Sequence, residues 1–141
     1  MFGHLLKDAQ KDSIADVEIA IFALRKDELL LLEEPYFNQQ NFYHLPKGKI
    51  KKDETISQAL HRVLMEETLL AVSEVEKFLA YQDTETDAGK KRSFYFVVRV
   101  VDPEEIQAKK YHSYAWAVPT EAVGYPIKDE LREMLDLYMK S

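Results

Sequence analysis

The sequence predicts an α+β protein, an α-β-α sandwich in which a mixed β-sheet lies between helices. Three observations predict it. Short segments rich in β-branched, aromatic and leucine residues recur along the chain and end at turn residues. One central segment and one C-terminal segment carry apolar residues at helical spacing instead. No repeat, linker or low-complexity run divides the 141 residues, a length ordinary for one domain. The expectation is a single domain over 1–141, with 1–13 as an N-terminal extension.

Each element has its own reason. Residues 1–13 are polar and irregular, with at most a short helical turn. Val17, Ile19 and Ile21, followed by Phe22 and Leu24, predict a strand over 16–25, and Arg25-Lys26-Asp27 predicts a hairpin turn. The leucine-rich segment 28–33 has helical composition, but it is short and follows a turn, so it is read as a strand. Residues 35–40 read as a loop and 42–45 as a short strand halted by Pro46. From Asp53 or Glu54 to about Leu69, apolar residues at Ile56, Ala59, Leu60, Val63, Leu64 and Met65 predict the central helix, with Asp53 as its N-cap. Residues 75–82 and 93–101 read as strands joined by a long hairpin loop over 83–91. Residues 103–110 form a short helix or connection, and 114–118 a last strand. A turn begins at Pro119. An amphipathic helix runs from Ile127 or Lys128 to Met139 with Leu131, Met134, Leu135 and Tyr138 on one face.

Composition narrows the functions. A net charge of −6 argues against a general grip on nucleic-acid backbone. The absence of cysteine excludes disulfides and thiolate metal sites. No stretch approaches the roughly 18 apolar residues of a membrane span, and the N-terminus lacks the pattern of an export signal. A cytoplasmic location is the expectation. Lysines cluster at Lys47, Lys49, Lys51 and Lys52, where cations could meet phosphate, and Lys90, Lys91 and Arg92 form a second basic group.

The segment 48–70 carries the chemistry. Gly48 is followed after five residues by Glu54, after seven more by Arg62, then by Leu64, Glu66-Glu67 and Leu70. This resembles the Nudix box, the signature of hydrolases that cleave nucleoside diphosphates linked to another moiety. Val63 stands where that family has a glutamate, and Leu69 where it has a glycine. The approach LPKGKI and the tryptophan near the terminal helix, Trp116, are similar to family members too. The order of elements is similar to the Nudix fold, a resemblance that covers most of residues 16–139.

Helical geometry puts positions 63, 66 and 67 on one face, with Glu66 and Glu67 diverging by about 100°. Magnesium takes oxygen ligands, keeps waters and often needs only one or two carboxylates beside a substrate's phosphates. The resemblance implies Mg2+ or Mn2+ held by Glu66, Glu67 and the backbone carbonyl of Lys47, with Glu66 and Glu67 as the catalytic residues. It implies that Gly48, Glu54 and Arg62 are structural, with Glu54 and Arg62 paired to tie the turn to the helix. Gly48 is also expected to use backbone angles closed to other residues. Lys47, Lys49, Tyr43 and His44 are candidates for substrate binding.

The implied reaction is attack of water on a diphosphate in a nucleoside diphosphate derivative or a dinucleoside polyphosphate. The stretch KKRSFYFVV is similar to the diadenosine-tetraphosphate hydrolase branch. Valine can neither bind metal nor act as a base. Glu85 and Asp87, on the long hairpin loop, are therefore the alternative bases, with Glu104, Glu105 and Glu121 further candidates; His61 points away. A second reading follows from Val63, namely a catalytically impaired Nudix-fold module that binds nucleotide or another protein. Val63 also has a plain reading as a core residue. Tyr81, Tyr95, His112 and Trp116 are read first as core or surface. The partner is a nucleotide-type small molecule, and the family often forms homodimers, although the sequence carries no independent signal for one.

Overall fold

The computed structural model describes residues 2–34, 41–102 and 113–141. The loop expected over 35–40, the connection over 103–110, and Glu104, Glu105 and His112 lie outside the described residues. Helix α1 (Gly3–Lys11) leads into strands β1 (Asp16–Arg25) and β2 (Glu28–Glu34), then β3 (Phe42–His44) and β4 (Lys47–Lys49). Helix α2 (Ile56–Thr68) follows, then β5 (Val72–Thr86), β6 (Gly89–Val100), β7 (Ser113–Ala117), α3 (Pro119–Ala122) and α4 (Asp129–Lys140). The strands make one mixed seven-stranded sheet in the order β3-β2-β1-β6-β5, with β4 on β1 and β7 on β2. The β1–β6 pair is parallel and the others are antiparallel.

Strand alternation sorts the core into two layers. Ile19, Ile21 and Ala23 of β1 join Leu30, Leu32, Phe94 and Phe96 beneath α1 and α2. Ala20, Phe22 and Leu24 join Leu29, Leu31, Tyr95 and Val97 beneath α4. The leucine run of β2 is thus a strand covered on both faces, which removes polar alternation from its sequence. The expected sandwich is observed. Among the described residues no helix is long and apolar enough to cross a membrane.

Four local expectations are corrected. The N-terminal segment is a nine-residue helix that buries Leu5 and Ala9. Phe2 meets Phe96 edge-on at 5.0 Å, and Asp12 pairs with Arg92 at 3.1 Å, so tertiary contacts hold a helix that its polar composition conceals. The N-cap of α2 is Thr55, not Asp53. Thr55 Oγ1 accepts from the Gln58 amide at 3.1 Å, and the Gln58 side chain accepts from the Thr55 amide at 2.9 Å. This reciprocal cap satisfies two end donors, while Asp53 sits at φ 63° and Glu54 is engaged elsewhere. The segment over 83–91 is not a long loop. Strands β5 and β6 pair as far as Thr86 and Gly89, leaving Asp87-Ala88 as a tight turn. The opposite-charge pairs Asp83–Arg92 and Glu85–Lys90 lie directly across the ladder and extend it. Finally, the glycine segment is the strand β4, and Gly48 is absent from the residues of positive φ.

Candidate active site

Gly48 is required by proximity rather than by backbone angle. A Cβ placed on it would stand 2.8 Å from Val63 Cγ2 and 3.3 Å from Val63 Cγ1. Carbon atoms pack at about 3.5–4.0 Å, so only glycine lets β4 lie this close to α2. Val63 itself is buried at 1% exposure. It is a core residue, and the position at which the box would present a third carboxylate is apolar.

Arg62 fastens the same junction. Its Nε and Nη2 donate to Glu54 Oε2 and Oε1 at 2.7 and 2.9 Å, and Nη2 also donates to the Lys49 carbonyl at 2.6 Å. Nη1 donates to Glu66 Oε2 at 3.1 Å. Glu54 further accepts from the Lys51 amide at 2.9 Å. The two-pronged bond from Arg62 holds the Glu54 carboxyl down to about 2, and Glu54 in turn raises Arg62. The expected Glu54–Arg62 tie is therefore present and joins the bend, β4 and α2.

The direction of the Lys47 carbonyl follows from strand register. Ile21 N donates to Pro46 O and Ile50 N to Val17 O, so these are hydrogen-bonded pairs. Antiparallel pairs alternate, which makes Ala20–Lys47 and Glu18–Lys49 non-hydrogen-bonded pairs. The carbonyls of Lys47 and Lys49 then project from the edge of β4 away from β1. Arg62 takes the Lys49 carbonyl, so this edge faces α2. Arg62 thus lies by Lys49 and Val63 by Gly48, and one turn further along α2 the charge of Glu67 acts on His44. Glu67 is buried at 9% exposure, whereas Glu66 is exposed and turned to Arg62.

These oxygens suit a hard divalent cation that keeps water and shares its shell with phosphate. They do not suit one enclosed by protein, since among the described residues no group of three or more His, Asp or Glu could hold a metal. His44 stands nearby. Its Nδ1 contacts the Leu45 carbonyl at 2.8 Å, and its Nε2 lies 3.5 Å from Glu34 Oε2. Burial lowers its pKa most strongly; the Leu45 bond opposes this, Lys47 adds to it, and Glu34 and Glu67 oppose it.

A cavity of about 400 Å³ adjoins this junction on the α4 side of the sheet. Tyr43, His44 and Lys47 line it, as does Glu85 from β5. Glu66 and Glu67 do not line it, and the link between them and the recess is His44, a cavity residue that feels the charge of Glu67. Lys49 is elsewhere, exposed and paired with Asp16 at 3.0 Å. Asp87 occupies the hairpin turn and does not line the cavity. Glu121 belongs to α3. His61 is exposed and bonded to the Ser57 carbonyl, as its helical position implies. Trp116 packs against the core with Arg25 4.4 Å above its ring. Tyr81 is capped by Arg92 at 4.1 Å. Sequence reasoning missed Glu18, Gln82 and Ser93 in the cavity wall. The available signal was Glu18 itself, an acid within the otherwise apolar VEIAIFAL run.

A model of the NUDIX domain matches residues 15–138. The chain belongs to the NUDIX family. The solution structure of the E. coli ORF135 protein is similar, at 25% identity and a TM-score of 0.76, over 92% of each chain. The MutT protein from Methanosarcina mazei Go1 is 20% identical with a TM-score of 0.73, covering 89% of this chain and 93% of that one. A C. elegans Ap4A hydrolase is 18% identical with a TM-score of 0.67, covering 90% and 96%. A search of curated proteins finds no match. In this member of the NUDIX family the box helix is seated by Val63 against Gly48 rather than by a fully acidic face.

Proposed function

We propose that this NUDIX protein hydrolyses a diphosphate linkage in a nucleoside diphosphate derivative or a dinucleoside polyphosphate, with Mg2+ or Mn2+. The observation that carries the reading is the packing of α2 on β4, with Val63 against Gly48 and Arg62 on the Lys49 carbonyl, beside an open cavity. Solved relatives include a protein called MutT and one called an Ap4A hydrolase. Glu67, Glu66 and the Lys47 carbonyl would hold the cation, whose contribution when bound is to neutralise phosphate charge and lower the pKa of water. Arg62 keeps Glu66 on the helix face and fixes β4 through the Lys49 carbonyl. The Lys47 ammonium, on the cavity wall, attracts the phosphate chain. His44 and Tyr43 stand on the cavity wall, where they can meet the substrate.

The test is release of phosphate, pyrophosphate or nucleotide from a panel of nucleoside triphosphates, nucleoside diphosphate conjugates and dinucleoside polyphosphates. Turnover that needs Mg2+ or Mn2+ and stops with EDTA supports the reading. No turnover across the panel, from protein that melts cooperatively, refutes it. A second reading, an impaired module that binds nucleotide without turning it over, is favoured by the burial of Val63. It predicts that nucleotides raise Tm, as any ligand selective for the folded state must, and that Val63→Glu raises turnover from a negligible base.

A further inference from the structure

Resting on the reading of the cavity as a nucleotide site, we propose that its floor selects nucleobases with an exocyclic amino group, as in cytosine and adenine, over those with a carbonyl there. Parallel pairing of β1 with β6 puts Glu18 beside Ser93 and Ala20 beside Tyr95 on the α4-facing side. Gln82 of β5 pairs with Ser93 on that side. Small Ala20 leaves the space, and Tyr43, Tyr95 and Leu131 supply flat or apolar walls.

The hydrogen bonds among its residues give the floor its polarity. Gln82 Nε2 donates to the Glu130 carbonyl at 3.0 Å, and a carbonyl can only accept. The Gln82 amide is thereby oriented with Oε1 toward Tyr95, whose hydroxyl donates to it at 2.8 Å. The Tyr95 hydrogen is committed, so its oxygen offers the cavity lone pairs only. Burial, followed by the charge of Glu18, raises the Tyr95 pKa, which keeps that hydrogen in place. Glu18 takes Ser93 Oγ at 2.8 Å and Lys91 Nζ at 3.4 Å, both on Oε1. Oε2 takes no hydrogen bond from the described residues, and the Glu18 side chain is 15% exposed. Two acceptors therefore stand on the floor, and the nearest cation, Lys91, is drawn to Glu18 Oε1. An amino group can donate to both, whereas a ring carbonyl would face them unpaired, a mismatch that buried sites reject strongly.

The isosteric pairs CTP/UTP and ATP/ITP exchange amino for carbonyl with little change of shape. Binding is measured with the α,β-methylene analogues of CTP and UTP, and kcat/KM with all four natural triphosphates. The expected result is a preference of about tenfold or more for the amino member of each pair. In Glu18→Gln the amide oxygen must stay with Ser93 and Lys91, so its NH2 replaces Oε2 and the preference falls to about unity or inverts. Tyr95→Phe keeps the ring, removes the second acceptor and lowers the preference severalfold; it serves if Glu18→Gln does not fold.

A ratio within about twofold in the parent overturns the proposal, whether or not the nucleotides are hydrolysed. A ribose-over-deoxyribose preference without an amino preference also overturns it, since the acceptors would then be reading a diol. Discrimination in binding without turnover sinks the hydrolase reading and leaves this inference standing. Failure of every nucleotide to bind sinks both.

Discussion

Gly48→Ala tests whether the box glycine is there for close approach. The added Cβ lies 2.8 Å from Val63 Cγ2, well inside contact distance. Val63 is β-branched on a helix, where one rotamer dominates, and is buried at 1% exposure, so it cannot swing aside. Strand β4 must then lift from α2. Overpacking of this kind costs about 1–3 kcal/mol. Removing glycine from a strand returns about 0.5–1 kcal/mol, so the expected net loss is about 0–2.5 kcal/mol. Val63→Ala deletes two buried methyls, worth about 0.8 kcal/mol each plus a cavity term, or about 1.5–3 kcal/mol. In the double variant the methyl added at position 48 enters the space that the valine side chain vacated, and the two losses should fall short of additivity by about 1–2 kcal/mol. Urea unfolding followed by far-UV circular dichroism at constant m-value measures all four corners. Additivity within about 0.5 kcal/mol would refute the close-approach account. A glycine needed for its backbone angles would give that result, because shortening residue 63 relieves nothing on φ. The same cycle bears on the proposed chemistry, since a lifted β4 carries the Lys47 carbonyl away from α2.

Three further outcomes are expected. Leu69 ends α2 in the left-handed region at φ 60° and is 53% exposed, so Leu69→Gly should raise stability by about 1 kcal/mol in the same assay; a loss would show that the side chain is held by packing. Glu54 has a folded pKa lowered from 4.5 to about 2, so its contribution is fully present above about 4.5 and disappears as pH falls toward about 2. The stability gap between the parent and Glu54→Gln should close across that window, and a gap that persists at pH 2 would contradict the Arg62 pairing. If the proposed hydrolysis holds, Glu67→Gln should lower kcat/KM by about 100-fold or more with Tm little changed, and a variant as active as the parent would remove Glu67 from the chemistry.

The parts of the fold that were legible in the sequence depend on local periodicity. Strands β1 and β6 and helices α2 and α4 follow from spacing along one segment, β2 from its shortness after a turn, and the Glu54–Arg62 tie from the resemblance of the box. Helix α1 was hidden because its stability comes from Phe96 and Arg92, far along the chain. Within the β5–β6 hairpin, segment 83–91 reads as a loop because its charged residues look solvated singly and become favourable only as cross-strand pairs. The candidate site divides the same way. The register of the box singles out Glu66 and Glu67 as candidates, and the helical stripe allows Val63 to be core. What Gly48 does could not be read from Gly48, because the reason is a methyl group on another element. The cavity floor was further still from view. Glu18 and Ser93 are 75 residues apart, and they meet only because a parallel pairing, which has no hairpin to announce it, places β1 against β6. Hydrolysis would draw on the residues that one segment encodes, while selection among substrates would draw on residues that topology alone assembles. A single box can therefore mark a whole family while saying little about which nucleotide each member takes.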